Sequence, residues 1–144
     1  MAAPLSAQAE QFTGTEVSAG AVAAVSAHDF WGAAAGVGRR LDNQTRVAGL
    51  AAAGIMDNKA AMRVEATAQL IVNPSGRGGA CLYAGAGVAW QGAPGMAGGG
   101  YVTALLGLES APGSHRAWFA EAGLGGGVRL ALGLRWRRVP PWWR

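Results

Sequence analysis

Hydrophobic and polar residues alternate along most of this chain with a period of two, the pattern of β-strands with one apolar face. The alternation is clearest in the segment 59–72. One face of that segment is apolar and consists of Met62, Val64, Ala66, Ala68, Leu70 and Val72. The opposite face carries Arg63, Glu65, Thr67 and Gln69. A helix would mix the two sets, because 3.6 residues per turn does not separate odd from even positions.

Turn-forming residues divide the chain into eight segments of roughly ten residues each. The eight segments are Thr15–Ser26, Asp29–Leu41, Thr45–Met56, Lys59–Val72, Gly79–Gln91, Gly99–Glu109, His115–Leu124 and Gly127–Arg137. The third has the weakest pattern, since apolar residues fall on both of its faces. We predict an all-β fold, an eight-stranded antiparallel up-and-down β-barrel over residues 12–137. No segment offers the roughly 20 consecutive apolar residues of a transmembrane helix.

The polar face carries glycine and alanine as often as charge, which suits the narrow lumen of an eight-stranded barrel better than a water-exposed surface. We therefore expect the apolar face to point outward, toward lipid, and the charged residues to pair across the lumen. The expected lumen charges are four acidic and four basic residues: Glu16, Glu65, Glu109, Glu121, Arg40, Arg63, Arg129 and Arg135.

Four tryptophans lie on the apolar face near predicted strand ends. Trp31 and Trp90 fall at one rim of the expected barrel, and Trp118 and Trp136 fall at the other. Two rings of aromatic residues at the membrane interfaces are typical of transmembrane barrels. A strand of about ten residues also crosses a bilayer at a 45° tilt, so we predict a barrel of the transmembrane type.

The eight alternating segments and the last of them, Val128–Trp136, resemble the small eight-stranded outer-membrane barrels of Gram-negative bacteria, the OmpA transmembrane domain and OmpX type. The resemblance covers residues 12–137 and rests on pattern rather than on a motif. It implies an integral protein of the bacterial outer membrane whose last strand is read by the barrel-assembly machinery. The connecting loops are short compared with that family, which argues against an adhesin or receptor role.

Composition and charge bear on the partners that the protein could have. Glycine contributes 24 of 144 residues, charged residues are 14%, and the net charge is +4. The basic residues are eleven arginines and Lys59, spread without the aromatic-interleaved patch of a nucleic-acid site, so we expect no nucleic-acid partner.

We interpret residues 1–11 as a signal-peptide remnant or a flexible N-terminus, since Ser6–Ala9 has a small-x-small cleavage pattern. Residues 138–144 form a basic tail rich in proline and tryptophan.

Candidate chemistry is sparse. Cys81 is the single cysteine, and the two histidines, His28 and His115, fall at opposite rims, so we expect neither a metal site nor a cofactor. Ser26, His28 and Asp29 share one predicted turn, a grouping that turns produce far more often than catalysis does. We expect no enzymatic activity.

We expect a non-enzymatic outer-membrane barrel with a structural or envelope role and no open pore. A monomer is favoured, with the lipid bilayer as its partner. The alternative is a soluble lipocalin-like barrel with its faces reversed, in which Trp31, Trp90, Val64 and Leu132 would line a cavity for a small hydrophobic ligand. A third possibility is a filament assembled from stacked strands. The glycine- and alanine-rich opposite face argues against the soluble barrel, because an exposed sheet of that kind invites aggregation.

Overall fold

The computed structural model describes residues 14–73 and 78–138, and every described strand belongs to one sheet. The expectations for residues 1–11 and for 139–144 lie outside the described residues. The strands are β1 (Gly14–Val25), β2 (Phe30–Arg40), β3 (Thr45–Met56), β4 (Lys59–Ile71), β5 (Ala80–Gly92), β6 (Gly99–Ser110), β7 (Arg116–Leu124) and β8 (Val128–Arg138). Within these ranges, no helix is long and apolar enough to cross a membrane.

Each strand pairs with the next in antiparallel register, and β8 pairs with β1, so the sheet closes into an eight-stranded barrel. The predicted fold is confirmed, and each strand end lies within one residue of its predicted position. The boundary between the barrel and the C-terminal tail lies one residue later than the sequence predicts. Arg138, assigned there to the tail, continues the alternation of β8 and pairs with Thr15 of β1.

The barrel has two ends, which we name by the chain. At the terminus end β1 begins and β8 ends, and the connections β2–β3, β4–β5 and β6–β7 lie there. The far end carries the connections 26–29, 57–58, 93–98 and 125–127. The shortest is Asp57-Asn58, where both residues have positive φ (50° and 62°), the backbone of a two-residue hairpin turn that twists with its strands.

The turn between β2 and β3 is held by Asp42. Its Oδ1 accepts hydrogen bonds from the backbone N–H groups of Thr45 (2.7 Å) and Gln44 (2.8 Å). These donors, Thr45 first, lower the pKa of the Asp42 carboxyl from its ordinary value because they stabilise the charged form. This turn therefore keeps its acidic side chain engaged with the backbone next to the rim.

The alternation places the apolar face outward on all eight strands. In β4 the exposed residues include Met62, Val64 and Leu70, while Arg63 and Glu65 between them are buried. β3, whose pattern was ambiguous, follows the same rule: Val47 and Ile55 are exposed. Charged side chains therefore fill the interior and hydrophobic ones cover the wall, the reverse of a water-soluble barrel.

Lumen-facing glycines let neighbouring strands approach closely. Gly20 of β1 lies opposite Gly133 of β8. A Cβ added at Gly20 would overlap the carbonyl oxygen of Leu132 and lie 2.7 Å from the Cα of Gly133. Since both obstacles are backbone atoms, they cannot move aside as a flexible side chain would.

We therefore expect Gly20→Ala to lower the free energy of unfolding by about 1–3 kcal/mol through overpacking. Denaturant unfolding of the folded barrel measures the change. Gly100→Ala is the matched control, because a Cβ there meets nothing within 4 Å. Equal stability of the two variants would show that the β1–β8 seam is looser than described.

Candidate functional site

The interior of the barrel is an ionic network. All eight charged residues assigned to the lumen from the sequence are buried inside it, with no side chain more than 7% exposed. The structure adds Arg46 and Arg137, which are also buried and also paired with lumen carboxylates. Six arginines thus share four glutamates among the described residues, which differs by two arginines from the even balance expected from the sequence.

The larger group, the terminus-end cluster, consists of Glu16, Glu109, Arg40, Arg46, Arg135 and Arg137. Glu109 lies at its centre: its Oε2 is 2.7 Å from Arg137 Nη2 and 3.1 Å from Arg46 Nη1, and it also pairs with Arg135. Glu16 accepts from the same side, with its Oε1 2.9 Å from Arg137 Nε and its Oε2 3.1 Å from Arg46 Nη1. These two carboxylates hold four guanidinium groups together.

The smaller group, the far-end cluster, consists of Glu65, Glu121, Arg63 and Arg129. Glu65 lies between two arginines. Its Oε1 is 2.6 Å from Arg63 Nε, and its Oε2 is 2.7 Å from Arg129 Nη2. Arg129 Nη1 reaches Glu121 Oε2 at 2.8 Å. Arg63 also donates from Nη1 to Gln91 Oε1 at 2.6 Å, so two lumen side chains, Glu65 and Gln91, hold its guanidinium group in place.

Aromatic residues join the two clusters. The hydroxyl of Tyr83 donates to Glu121 Oε1 at 2.6 Å. The Arg46 guanidinium lies over the Tyr83 ring, with its Cζ 4.7 Å from the ring centroid. Arg135 stacks over Phe119 at 4.7 Å and approaches Glu121 at 3.8 Å. The ion pairs therefore form one network across the lumen, in which each charged side chain has at least one partner of opposite charge.

Both ends of the lumen are blocked. Near the far end, the buried side chains of Phe30, Met56 and Ala93 belong to one apolar cluster. At the terminus end the β6–β7 turn folds into the opening: Pro112 is fully buried, and its carbonyl accepts a hydrogen bond from Arg40 Nη2 at 2.6 Å. Arg137 Nη1 reaches the carbonyl of Ala111 in the same turn.

The space left between the clusters is small. A cavity of about 30 Å³ lies among Arg46, Glu65, Glu121 and Arg135. A single water molecule needs about 10–15 Å³ of such space, so the cavity accommodates one or two waters and no organic ligand. The lumen is filled by side chains, as is usual for eight strands.

The outer wall carries the four tryptophans assigned to the rims. Trp31 and Trp90 lie at the far end, and Trp118 and Trp136 lie at the terminus end. Their side chains are exposed on the apolar face by 40–54%. Hydrophobic residues elsewhere on the wall are more exposed still, with Leu132 63% exposed and Val102 82% exposed.

Solved structures with this architecture are similar to the chain along nearly its whole length. The N-terminal β-barrel domain of Pseudomonas aeruginosa OprF aligns with a TM-score of 0.66 and 18% identity, over 90% of this chain and 100% of that one. Neisserial surface protein A aligns with a TM-score of 0.56 and 15% identity, over 86% of this chain and 96% of that one. Both are eight-stranded outer-membrane barrels.

The chain has the fold of the small outer-membrane β-barrels. Neither a protein-family profile nor a curated protein sequence matches it. At identities of 15–18% the likeness to these barrels is one of fold.

The rims of this outer-membrane-type barrel do not assemble a catalytic group among the described residues. Ser26 Oγ hydrogen-bonds to the backbone of His28, at 3.2 Å, and Asp29 Oδ1 accepts from the Ser26 backbone N–H. The His28 ring instead reaches across to Asp57, with Nδ1 2.5 Å from Oδ2. Ser26 and Asp29 thus stabilise the turn itself, and His28 connects the β1–β2 and β3–β4 turns.

Other candidate chemistry is equally limited. Cys81 is buried, and its Sγ accepts from the backbone N–H of Asn73 at 3.2 Å. In the described part of the chain, no three histidine, cysteine or acidic residues lie close enough to hold a metal ion.

Sequence reasoning missed two lumen arginines for different reasons. Arg46 lies in β3, where apolar residues on both faces concealed which positions point inward. Arg137 shares a face with Arg135 but is the last residue of the predicted segment Gly127–Arg137, one position beyond the clear alternation of Val128–Trp136. The observed extension of β8 to Arg138 identifies Arg137 as a lumen position.

Proposed function

We propose that this chain is an integral membrane β-barrel of the bacterial outer membrane, with a structural or envelope role and a lumen sealed by ion pairs. The observation that carries the proposal is the inversion of the two faces. The outward face is apolar along the middle of every strand, and ten buried charged side chains face inward. Lipid is the solvent that suits such a wall, because water would leave every strand's hydrophobic side exposed.

The soluble lipocalin-like alternative is not favoured. It requires Trp31, Trp90, Val64 and Leu132 to line an internal cavity, whereas all four are exposed on the outer wall. The interior offers ionic side chains and a cavity of about 30 Å³ in place of an apolar pocket. A hydrophobic ligand would find neither room nor apolar contacts there.

The finer parts of the proposal follow from the resemblance. We infer that the barrel-assembly machinery inserts the chain by reading β8, that a leader directs it across the inner membrane, and that it acts as a monomer without enzymatic activity. The alternation and the closing Trp136 of β8 support the first of these. The short far-end connections support a role that does not depend on long recognition loops.

A sealed lumen predicts that the barrel does not conduct solutes. We expect proteoliposomes containing the folded chain to show no swelling in small sugars and no steady single-channel current in planar bilayers. Pro112 at the mouth, the ionic clusters and the apolar cluster around Phe30 each block the path. A steady current from the unmodified protein would contradict the sealed lumen while leaving the barrel in place.

The direct test of the proposed function is electrophoresis after refolding in detergent or lipid. A closed barrel resists SDS until it is heated, so we expect the unheated sample to migrate differently from the boiled sample and to show β-type circular dichroism. A chain that stays monomeric and folded in buffer without detergent or lipid would overturn the proposal and restore the soluble barrel.

A further inference from the structure

Charge on the outer wall is confined to one end of the barrel. Among the described strands, the outward-facing positions that carry charge are Arg39, Arg116 and Arg138. All three lie at the terminus end and are exposed: Arg116 is on β7, Arg138 is on β8, and Arg39 is on β2, which is separated from β8 by β1 alone. We call them the arginine collar. Lys59 lies at the other end, on the lumen-facing set of β4 positions.

Pairing places the collar residues side by side. Arg39 and Arg138 flank the same residue, since Thr15 of β1 pairs with Arg39 on one side and with Arg138 on the other. Arg116 pairs with Trp136, two residues before Arg138 on the same face. The collar is therefore one continuous basic surface beside the tryptophan ring of the terminus end.

Nothing in the described protein neutralises this surface. Within residues 14–73 and 78–138, no acidic side chain forms an ion pair with Arg39, Arg116 or Arg138. The nearest acidic side chain in sequence, Asp42, is engaged with the backbone of its own turn. The carboxylates of the lumen lie behind the sheet, bound to the inner arginines.

An apolar groove begins at Arg39. It has a volume of about 750 Å³ and crosses the wall from β1 and β2 to β5. Its floor is low because most outward residues there are small: Gly49 lies beside Val37, Ala68 lies beside Val47, and Ala66 and Ala86 continue the floor onto β4 and β5. Charge at the rim and an open groove running inward from it match the shape of one lipid: a headgroup and an acyl chain.

We propose that the arginine collar and this groove bind an anionic phospholipid, with its phosphate at Arg39 and Arg138 and an acyl chain along the groove. The proposal rests on the proposed membrane-spanning function. Arginine suits the phosphate because its planar guanidinium donates two parallel hydrogen bonds. Each basic residue at an anionic lipid surface contributes about fivefold in binding, so three adjacent arginines give a marked preference over a zwitterionic lipid.

Native mass spectrometry of the full, refolded chain tests the preference. The protein is exchanged into micelles containing equal amounts of phosphatidylglycerol and phosphatidylcholine with identical acyl chains, and the retained lipids are counted. We expect phosphatidylglycerol to be retained at least about fivefold more than phosphatidylcholine. The triple variant Arg39→Gln/Arg116→Gln/Arg138→Gln is expected to retain both lipids equally, whereas Lys59→Gln keeps the preference.

The groove has its own matched pair of variants. Ala68→Phe fills the floor of the groove and is expected to reduce phosphatidylglycerol retention although every arginine remains. Ala120→Phe places the same ring on the wall of β7, outside the groove, and is expected to leave retention unchanged. Equal retention by these two variants would overturn the assignment of the acyl chain to the groove.

The unheated and boiled mobilities of every variant separate the two proposals. A heat-modifiable wild-type barrel that retains both phospholipids equally overturns the lipid site and leaves the membrane barrel intact. In a second set of micelles that contain equal amounts of lipid A and phosphatidylglycerol, preferential retention of lipid A also overturns it, because the collar would then serve a different lipid. Loss of heat modifiability in the wild type removes both proposals together.

Discussion

Replacing Leu132 by arginine is expected to destabilise the folded barrel in a bilayer by about 2–4 kcal/mol. Leu132 lies in the middle of β8, between Ala21 of β1 and Ala120 of β7, and 63% of it is exposed on the wall. At that depth a guanidinium must leave water for hydrocarbon. Unfolding in denaturant from lipid vesicles, followed by the heat-modifiable band, measures the loss.

Leu70→Arg provides the depth control. Leu70 is just as exposed, at 62%, but lies one residue from the terminus end of β4. There the new side chain reaches the headgroups, so the expected loss is only about 0–1 kcal/mol. Equal effects of the two variants, or a Leu132→Arg protein that is more stable in plain buffer, would contradict a lipid-facing wall.

Glu109→Gln should cost about 3–5 kcal/mol of unfolding free energy, the second large effect. Glu109 is fully buried and pairs with Arg46, Arg135 and Arg137. Its cluster already holds two more arginines than glutamates, and the substitution raises that excess to three. The guanidinium groups cannot reach water, so their mutual repulsion and the lost hydrogen bonds raise the free energy of the folded state.

A second substitution that removes one arginine shows whether Glu109→Gln destabilises the barrel through excess positive charge or through lost packing. The double variant Glu109→Gln/Arg137→Gln restores the original charge excess and is expected to recover part of the stability. Asp57→Asn, which breaks the exposed pair with His28, should change stability by no more than about 1 kcal/mol because water screens both groups. A Glu109→Gln protein as stable as Asp57→Asn would mean that the network contributes nothing to the fold.

The strands could be predicted because each carries its own two-residue period. In β4 and β8 every second residue is apolar, so both the strand and its outward face are visible in a local window. The direction of the faces followed from chemistry: glycine and alanine beside charge fit a narrow lumen better than a water-exposed surface. Closure between β1 and β8 followed from the even number of similar segments.

The details of the lumen could not be predicted because they depend on contacts between distant residues. Arg40 meets Pro112 across 72 residues of sequence, so nothing local indicates that the β6–β7 turn closes the mouth. The pairing of Arg129 with Glu65 joins β8 to β4 across the interior. The arginine collar likewise appears only when β7, β8, β1 and β2 are placed side by side.

The central claim is that the apolar face of every strand meets lipid while the charged face is enclosed, and a nitroxide scan along β8 tests it most directly. In a Cys81→Ser background, spin labels are placed singly at residues 128–136 of the barrel in vesicles, and their collision rates with oxygen and with a water-soluble nickel complex are compared. We predict that labels at Leu130, Leu132 and Leu134 collide with oxygen and are shielded from nickel, alternating with immobile labels at lumen positions. Exposure of these leucine positions to nickel, or the absence of alternation, would contradict the account.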